Sequence, residues 1–207
     1  MVDYVSPIYK GNMNVFYGGP NLGQKQMINT TALNFLNSPA SNNVVVYVTY
    51  SKKEANKMSE LIASKNIKNK FVIFSLSENP SDSEYYYLPR IAINFINQLI
   101  AQNCSSQSKE KLSILLCWDD INTYILKEKN IFEISKSHAS HNIFADVFEM
   151  TGNFEKYDLS AILSSEKSKL NREFENEGEK VLENILSFSD KIVKFECNLA
   201  MTKSKNS

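Results

Sequence analysis

Three observations predict an α/β fold, with a mostly parallel sheet and helices on both faces. Short β-branched or aromatic runs alternate with longer stretches of helical period, a glycine-rich turn joins the first strand-like and helix-like segments, and a later apolar run closes on a pair of aspartates. Strand, helix, strand, helix along one chain implies parallel pairing through right-handed crossovers, which coat the sheet with helices.

Each element has its own signature. The expected strands are Asn14 to Tyr17, Val44 to Thr49, Phe71 to Leu76, Leu112 to Trp118 and Asp146 to Glu149, all short and rich in Val, Ile, Phe or Tyr. The first expected helix, Gln24 to Leu36, opens directly from the glycine-rich turn. The next, Lys52 to Ala63, carries Ala55, Met58 and Ile62 on one face. The clearest is Glu84 to Gln102, where Leu88, Ile91, Ala92, Phe95, Ile96, Leu99 and Ile100 recur at helical spacing. Loops are expected at Asn42-Asn43, Glu78 to Ser83, Asn103 to Glu110 and Lys127 to Ser137. Beyond Thr151 the pattern changes: Glu166 to Ser187 is a highly charged expected helix, with Leu170, Phe174, Val181, Leu182 and Ile185 as an apolar stripe at helical spacing, interrupted at Gly178. That stripe suits either packing on the sheet or docking to a partner. Residues 1–200 read as one domain, and Thr202 to Ser207 as a disordered tail.

Composition narrows the function. A chain of 207 residues with 43% hydrophobic content is long enough for one core. Lysine plus arginine and aspartate plus glutamate balance at 23 each, so no basic surplus suggests nucleic acid. The only arginines are Arg90 and Arg172, which leaves few phosphate clamps. The lysine and asparagine bias fits an AT-rich genome. No run approaches the roughly 20 apolar residues that span a bilayer, and Met1-Val2-Asp3 opens without an export signal. A cytoplasmic protein is expected. Cys104, Cys117 and Cys197 are odd in number and widely spaced, which suits plain thiols rather than a disulfide framework or zinc knot.

The glycine-rich turn is Gly18-Gly19-Pro20-Asn21-Leu22-Gly23-Gln24-Lys25, which keeps both outer glycines of the phosphate-loop pattern. Its two chemical positions are altered. Gln24 stands where a lysine would reach the terminal phosphates, and Lys25 where a hydroxyl would hold magnesium. Glycine-backed amides at a helix start still attract phosphate, and Lys25 lies one place from the expected lysine. The plainer reading is a turn closed by Pro20, Asn21 and Gln24. The second signal is Leu112 to Asp120, an apolar strand ending in Asp119-Asp120. In phosphate-loop proteins the aspartate after such a strand meets magnesium, although the same pair also suits a helix cap.

Taken in order, these segments resemble the nucleotide-binding domain of rotary F-type ATPase alpha and beta subunits, a RecA-like P-loop NTPase fold. Val2-Asp3, Pro7 and Lys10-Gly11 leading into Gly18-Gly19 are similar to the entry of that domain. Val45 to Lys53 resembles its second strand, Leu116 to Ile121 an alpha-type strand ending in Asp-Asp, Asp146-Val147-Phe148 an alpha-type Asp-Val-Phe, and Leu186 to Ile192 a further alpha-subunit segment. The stretch Glu155 to Ile185 departs from the family.

The resemblance implies which functional positions are altered. The phosphate-loop lysine falls on Gln24, the magnesium hydroxyl on Lys25, and the glutamate that polarises water on Lys52; Asp119 alone is kept, as a vestigial magnesium position. The chain ends before the family's arginine finger. A lost general base is worth about 10²–10⁴ in rate and an arginine finger about 10³–10⁵, so hydrolysis is not expected. The resemblance therefore implies a noncatalytic accessory or connecting subunit of an F-type-like assembly. Its partners would be alpha- and beta-like subunits, in the setting of the gliding-associated ATPases of mollicute bacteria, at the inner membrane face through those partners. A weak or vestigial phosphate site at Gly18, Gly19, Gly23, Gln24 and Lys25 would hold no nucleotide, or ATP or ADP with magnesium weakly. Two alternatives stay open: a nucleotide sensor without hydrolysis, and a small ATP or GTP hydrolase using Lys25 and Asp119.

Two other groups carry less. His138 and His141 could share a helix face, but no further ligand stands at metal spacing, which favours surface histidines. Tyr85-Tyr86-Tyr87 suits either stacking on an adenine or partner, or packing on neighbouring elements.

Overall fold

The computed structural model describes residues 11–19, 21–38, 42–67, 70–105, 112–124, 127, 159–166 and 191–195, the last as backbone. In chain order these form β1 (Met13–Gly18), α1 (Gln24–Asn37), β2 (Asn42–Thr49), α2 (Lys52–Lys65), β3 (Phe71–Ser75), α3 (Asp82–Ser105), β4 (Leu112–Asp119), β5 (Leu159–Glu166) and β6 (Lys191–Phe195). The strands form one sheet in the order β3-β2-β4-β5-β1-β6, with every pair parallel. The expected α/β architecture is present, and among the described residues the sheet is wholly parallel.

Strand pleating sorts the side chains onto two faces. Met13 and Val15 of β1, Val46 and Val48 of β2, Ile114, Leu116 and Trp118 of β4, and Ala161 and Leu163 of β5 share one face with Leu88, Ala92, Ile96 and Ile100 of α3. Phe16, Val45, Tyr47, Leu115, Cys117 and Ile162 occupy the other face, against Ile28, Ala32 and Leu36 of α1 and Met58 and Ile62 of α2. β4 lies between β2 and β5 and is buried along its whole length. The apolar run Ile114 to Trp118 follows from that position, because a strand covered on both faces has no solvent side to show. The same alternation puts Thr49, Asp119 and Ser164, each at a strand's carboxyl end, on the face of α1 and α2.

Local signals set the helix starts. The Ser51 hydroxyl accepts from the Glu54 backbone N–H at 3.3 Å to begin α2. At α3 the Ser81 hydroxyl accepts from the Glu84 N–H at 3.3 Å, and the Glu84 carboxylate accepts from the Ser81 N–H at 3.2 Å, a reciprocal capping box. This box starts α3 at Asp82 rather than Glu84, and the helix runs on to Ser105, so both expected flanking loops give up residues to it. Among the described residues no helix is long and apolar enough to cross a membrane.

Three expectations change. Asn42-Asn43 is strand, not loop: the pair lies in register with Leu112 and Ser113, and buried Asn43 donates through Nδ2 to the Phe35 carbonyl at 2.7 Å. Leu159 to Glu166 is an unexpected strand, inserted between β1 and β4, because its buried serines 160, 164 and 165 hide the apolar alternation. Glu166 therefore closes β5 instead of opening a helix. Lys191 to Phe195 is likewise a strand, paired with β1. Residues 2–10, Pro20, Asp146 to Glu149, His138, His141, Arg172, Cys197, the rest of the stretch to Ser187 and the tail from Thr202 lie outside the described residues.

The tyrosine run packs chiefly within the fold. Tyr85 stacks on Tyr50 with ring centroids 5.9 Å apart, Tyr86 stacks on Tyr124 at 6.2 Å, and the Arg90 guanidinium lies 4.4 Å over the Tyr86 ring. Tyr87 is 55% exposed.

Truncating Ile162 to Ala is expected to cost about 2–5 kcal/mol, the range for emptying a close-packed core site. Urea unfolding of the full chain checks this, and a cost within error of zero would mean that β5 is not the strand joining the sheet's halves.

Candidate functional site

The loop between β1 and α1 opens onto the carboxyl edge of the sheet, where open parallel sheets place their ligands. Gly18 is the last residue of β1, and Gly23 caps α1 with φ 99°, a left-handed conformation that a side chain would strain. Asn21 also sits at positive φ, 58°. A pocket of about 340 Å³ is lined by Gly19, Gln24 and Lys25 from the loop and helix start, Asn29 from α1, Glu54 and Lys57 from α2, Asp119 and Asp120 from β4, and Ser164 from β5. The structure thus brings Gly19, Gly23, Gln24, Lys25 and Asp119 into one site, while Gly18 does not line it.

Both altered positions are engaged inside the protein. The Gln24 side chain is buried and folds back across the loop, donating through Nε2 to the Gly19 carbonyl at 2.8 Å. Lys25 reaches the other way: its Nζ lies 2.8 Å from Asp119 Oδ2, with the Lys25 side chain 51% exposed and that of Asp119 only 1%. Ser164 Oγ donates to Asp119 Oδ1 at 2.9 Å and accepts from the Asp120 N–H at 2.7 Å, and Thr49 Oγ1 donates weakly to Asp119 Oδ2 at 3.4 Å. Asp120, at φ 63°, accepts from Thr123 Oγ1 at 2.8 Å and so braces the short helical turn at 121–124.

Burial pushes the Asp119 carboxyl above the usual carboxylate range; the Lys25 ammonium and the Ser164 hydroxyl only partly offset that rise. Partial burial works against the charge on Lys25, yet attraction to Asp119 prevails and lifts its pKa above the ordinary lysine value. Burial also raises the Tyr47 hydroxyl and the Cys117 thiol far above their usual ranges, Asp119 adding to the rise at Tyr47.

Several site residues carry no recognisable motif. Tyr47 donates through its hydroxyl to Asn29 Oδ1 at 3.0 Å, and Asn29 Nδ2 donates to Glu54 Oε1 at 3.0 Å, which holds a carboxylate in the pocket. Lys52, expected at the position of the water-polarising glutamate, is an exposed first residue of α2 and does not line the pocket. The signal for Glu54 was its capping-box spacing from Ser51. The Ser51 N–H bonds to Thr49 Oγ1 at 3.2 Å instead, which leaves the Glu54 carboxylate for Asn29.

No family model matches this chain. No curated protein matches it. Among solved structures it is similar to a unique ATP synthase subunit, NeqB, from Nanoarcheaum equitans, with a TM-score of 0.73 and 13% identity, covering 93% of this chain and 47% of that one. The chain thus spans about half the length of that subunit. Such a likeness speaks for the fold: a parallel α/β sheet flanked by helices, consistent with a RecA-like, P-loop-type architecture.

Lys25→Met is expected to lower stability by about 1–2 kcal/mol in urea unfolding. This is less than the ~3–5 kcal/mol of a fully buried pair, because Lys25 is half exposed and screened. Stability should also fall on the alkaline side. Cys117, Tyr47 and Lys25 all hold protons more firmly in the folded state than at their ordinary values of 9.0, 10.0 and 10.5. The unfolded chain releases those protons first, so their contribution is intact below about pH 9 and is lost as pH rises beyond it. Urea midpoints that stay level from about pH 8 to 11 would contradict this linkage.

Proposed function

We propose that this protein is a noncatalytic accessory or connecting subunit of an F-type-like rotary ATPase assembly. The observation that carries the reading is the internal engagement of both chemical positions of the loop: Gln24 bonded to the Gly19 carbonyl and Lys25 paired with Asp119. A loop that binds and cleaves a nucleoside triphosphate needs those positions turned to phosphate and metal. Here the lysine that would meet the phosphates is a neutral amide. Without it, and with Lys25 on Asp119, the charge that builds on a transferring phosphoryl group has few partners. The fold likeness to an ATP synthase subunit supports the assembly half of the reading. The sequence resemblance adds alpha- and beta-like subunits as partners, in an ATPase of the gliding-associated kind.

One observation favours a second reading, a nucleotide sensor without hydrolysis. The pocket is open, and it presents Lys57, Glu54 and the start of α1 as well as the Lys25 and Asp119 pair. Glu54 gives the site a carboxylate, yet a base without the phosphate-binding lysine has no positioned phosphate to act on.

Native affinity purification of the tagged chain from its source cells, followed by mass spectrometry, tests the assembly. Stoichiometric recovery with alpha- and beta-like ATPase subunits is expected; recovery alone would sink the proposal. In parallel, millimolar magnesium and ATP should leave the melting temperature of the wild-type chain unchanged. The double variant Gln24→Lys, Lys25→Thr restores the full loop pattern and should gain a shift, since ligand at 100 times its Kd stabilises by about 2.7 kcal/mol. A wild-type shift would favour the sensor. Magnesium-dependent turnover lost in Lys25→Ala and Asp119→Asn would make the protein a hydrolase.

A further inference from the structure

In a phosphate loop of this pattern, the residue after the phosphate lysine gives a hydroxyl to magnesium, and a strand-end aspartate completes the metal's setting. The same two chain positions meet here, as an ion pair. Magnesium requires a near-octahedral set of oxygens at about 2.0–2.1 Å. Lys25 supplies no oxygen, and its ammonium stands 2.8 Å from Asp119 Oδ2, the oxygen a metal would take. A divalent ion on that oxygen would face a like charge a few ångströms away in a half-desolvated pocket, where repulsion is poorly screened. Asp119 Oδ1 is engaged by Ser164, and Asp120 Oδ2 by Thr123. The residues present do not fit magnesium.

We infer that Lys25 is the resident cation of this pocket: its ammonium takes the place that a divalent ion occupies in such loops, so the site excludes magnesium and rejects magnesium-chelated phosphate. The inference rests on reading residues 18–25 as a phosphate loop, as the proposed function does, but not on the assembly the protein joins. A tethered ammonium neutralises Asp119 at every ion concentration and brings no exchangeable coordination sites. The charges left facing the pocket are Lys57 against Glu54 and Asp120. That balance does not favour a free polyphosphate either. The Asp119 charge at the carboxyl edge of the sheet is thereby balanced by the chain's own Lys25.

Manganese is the probe, because it occupies magnesium sites and is read directly by electron paramagnetic resonance. The wild-type full chain should leave the free-manganese signal unchanged, and its amide resonances at Thr49 and Ser164 unbroadened. Lys25→Thr, which supplies the hydroxyl and removes the ammonium, should reduce the free-manganese signal, and adding Asp119→Asn should restore it. Manganese bound by the wild type and lost in Asp119→Asn would overturn the inference, as would a folded Lys25→Thr that binds none. Should Lys25→Thr fail to fold, Lys25→Ser is judged on the same signal, and the wild-type titration decides on its own. Purification without ATPase subunits would remove the proposed assembly and leave the metal result standing; manganese binding by the wild type would remove the resident cation alone.

Discussion

A buried carboxylate needs compensation, and the arrangement at the carboxyl edge of this sheet follows from supplying it to Asp119. The side chain is 1% exposed at the end of a strand covered on both faces. Left alone it would be protonated or would destabilise the fold. Compensation comes from three elements: Lys25 at the start of α1, Ser164 near the end of β5, and, weakly, Thr49 at the end of β2. The residue that fixes the electrostatics thereby also ties the glycine-rich loop to the middle of the sheet.

The same contacts are what the proposed noncatalytic reading rests on. A phosphate loop works by presenting amides and a lysine to a ligand that supplies the opposite charge. On the proposed reading, groups of the chain itself stand in for the ligand. Gln24 bonds to the carbonyl of Gly19 within the loop, and Lys25 neutralises the aspartate that a metal would meet. An internal partner carries no cost of association, so an external ligand must outcompete a contact already made.

Legibility in the sequence differs from element to element. β4 is readable because the apolar run Ile114 to Trp118, of strand length and closed by carboxylates, suits a strand covered on both faces; α3 is readable because its apolar stripe is long and regular. β5 is not, because Ser160, Ser164 and Ser165 are small and polar and yet buried; hydroxyls such as those of Ser164 and Ser165 are satisfied by groups distant in the chain, Asp119 and Asn122. Asn42-Asn43 looks like a turn for the same reason, until a strand partner and the Phe35 carbonyl engage it. Glu54 is hidden by a role it only half fills, since its spacing from Ser51 announces a helix cap while its carboxylate goes to Asn29.

The sequence by itself determined the α/β class, the glycine-rich loop, the two altered loop positions and the strand-end aspartate, because periodicity, glycine spacing and side-chain chemistry are local properties. Only the tertiary structure decided that β5 separates β1 from β4, that Lys25 rather than Gln24 reaches Asp119, and that Glu54 rather than Lys52 enters the pocket. Those outcomes depend on strand order, on which face each strand end shows, and on the direction a helix's first turn points. They are contacts between residues far apart in the chain, and no local pattern encodes them.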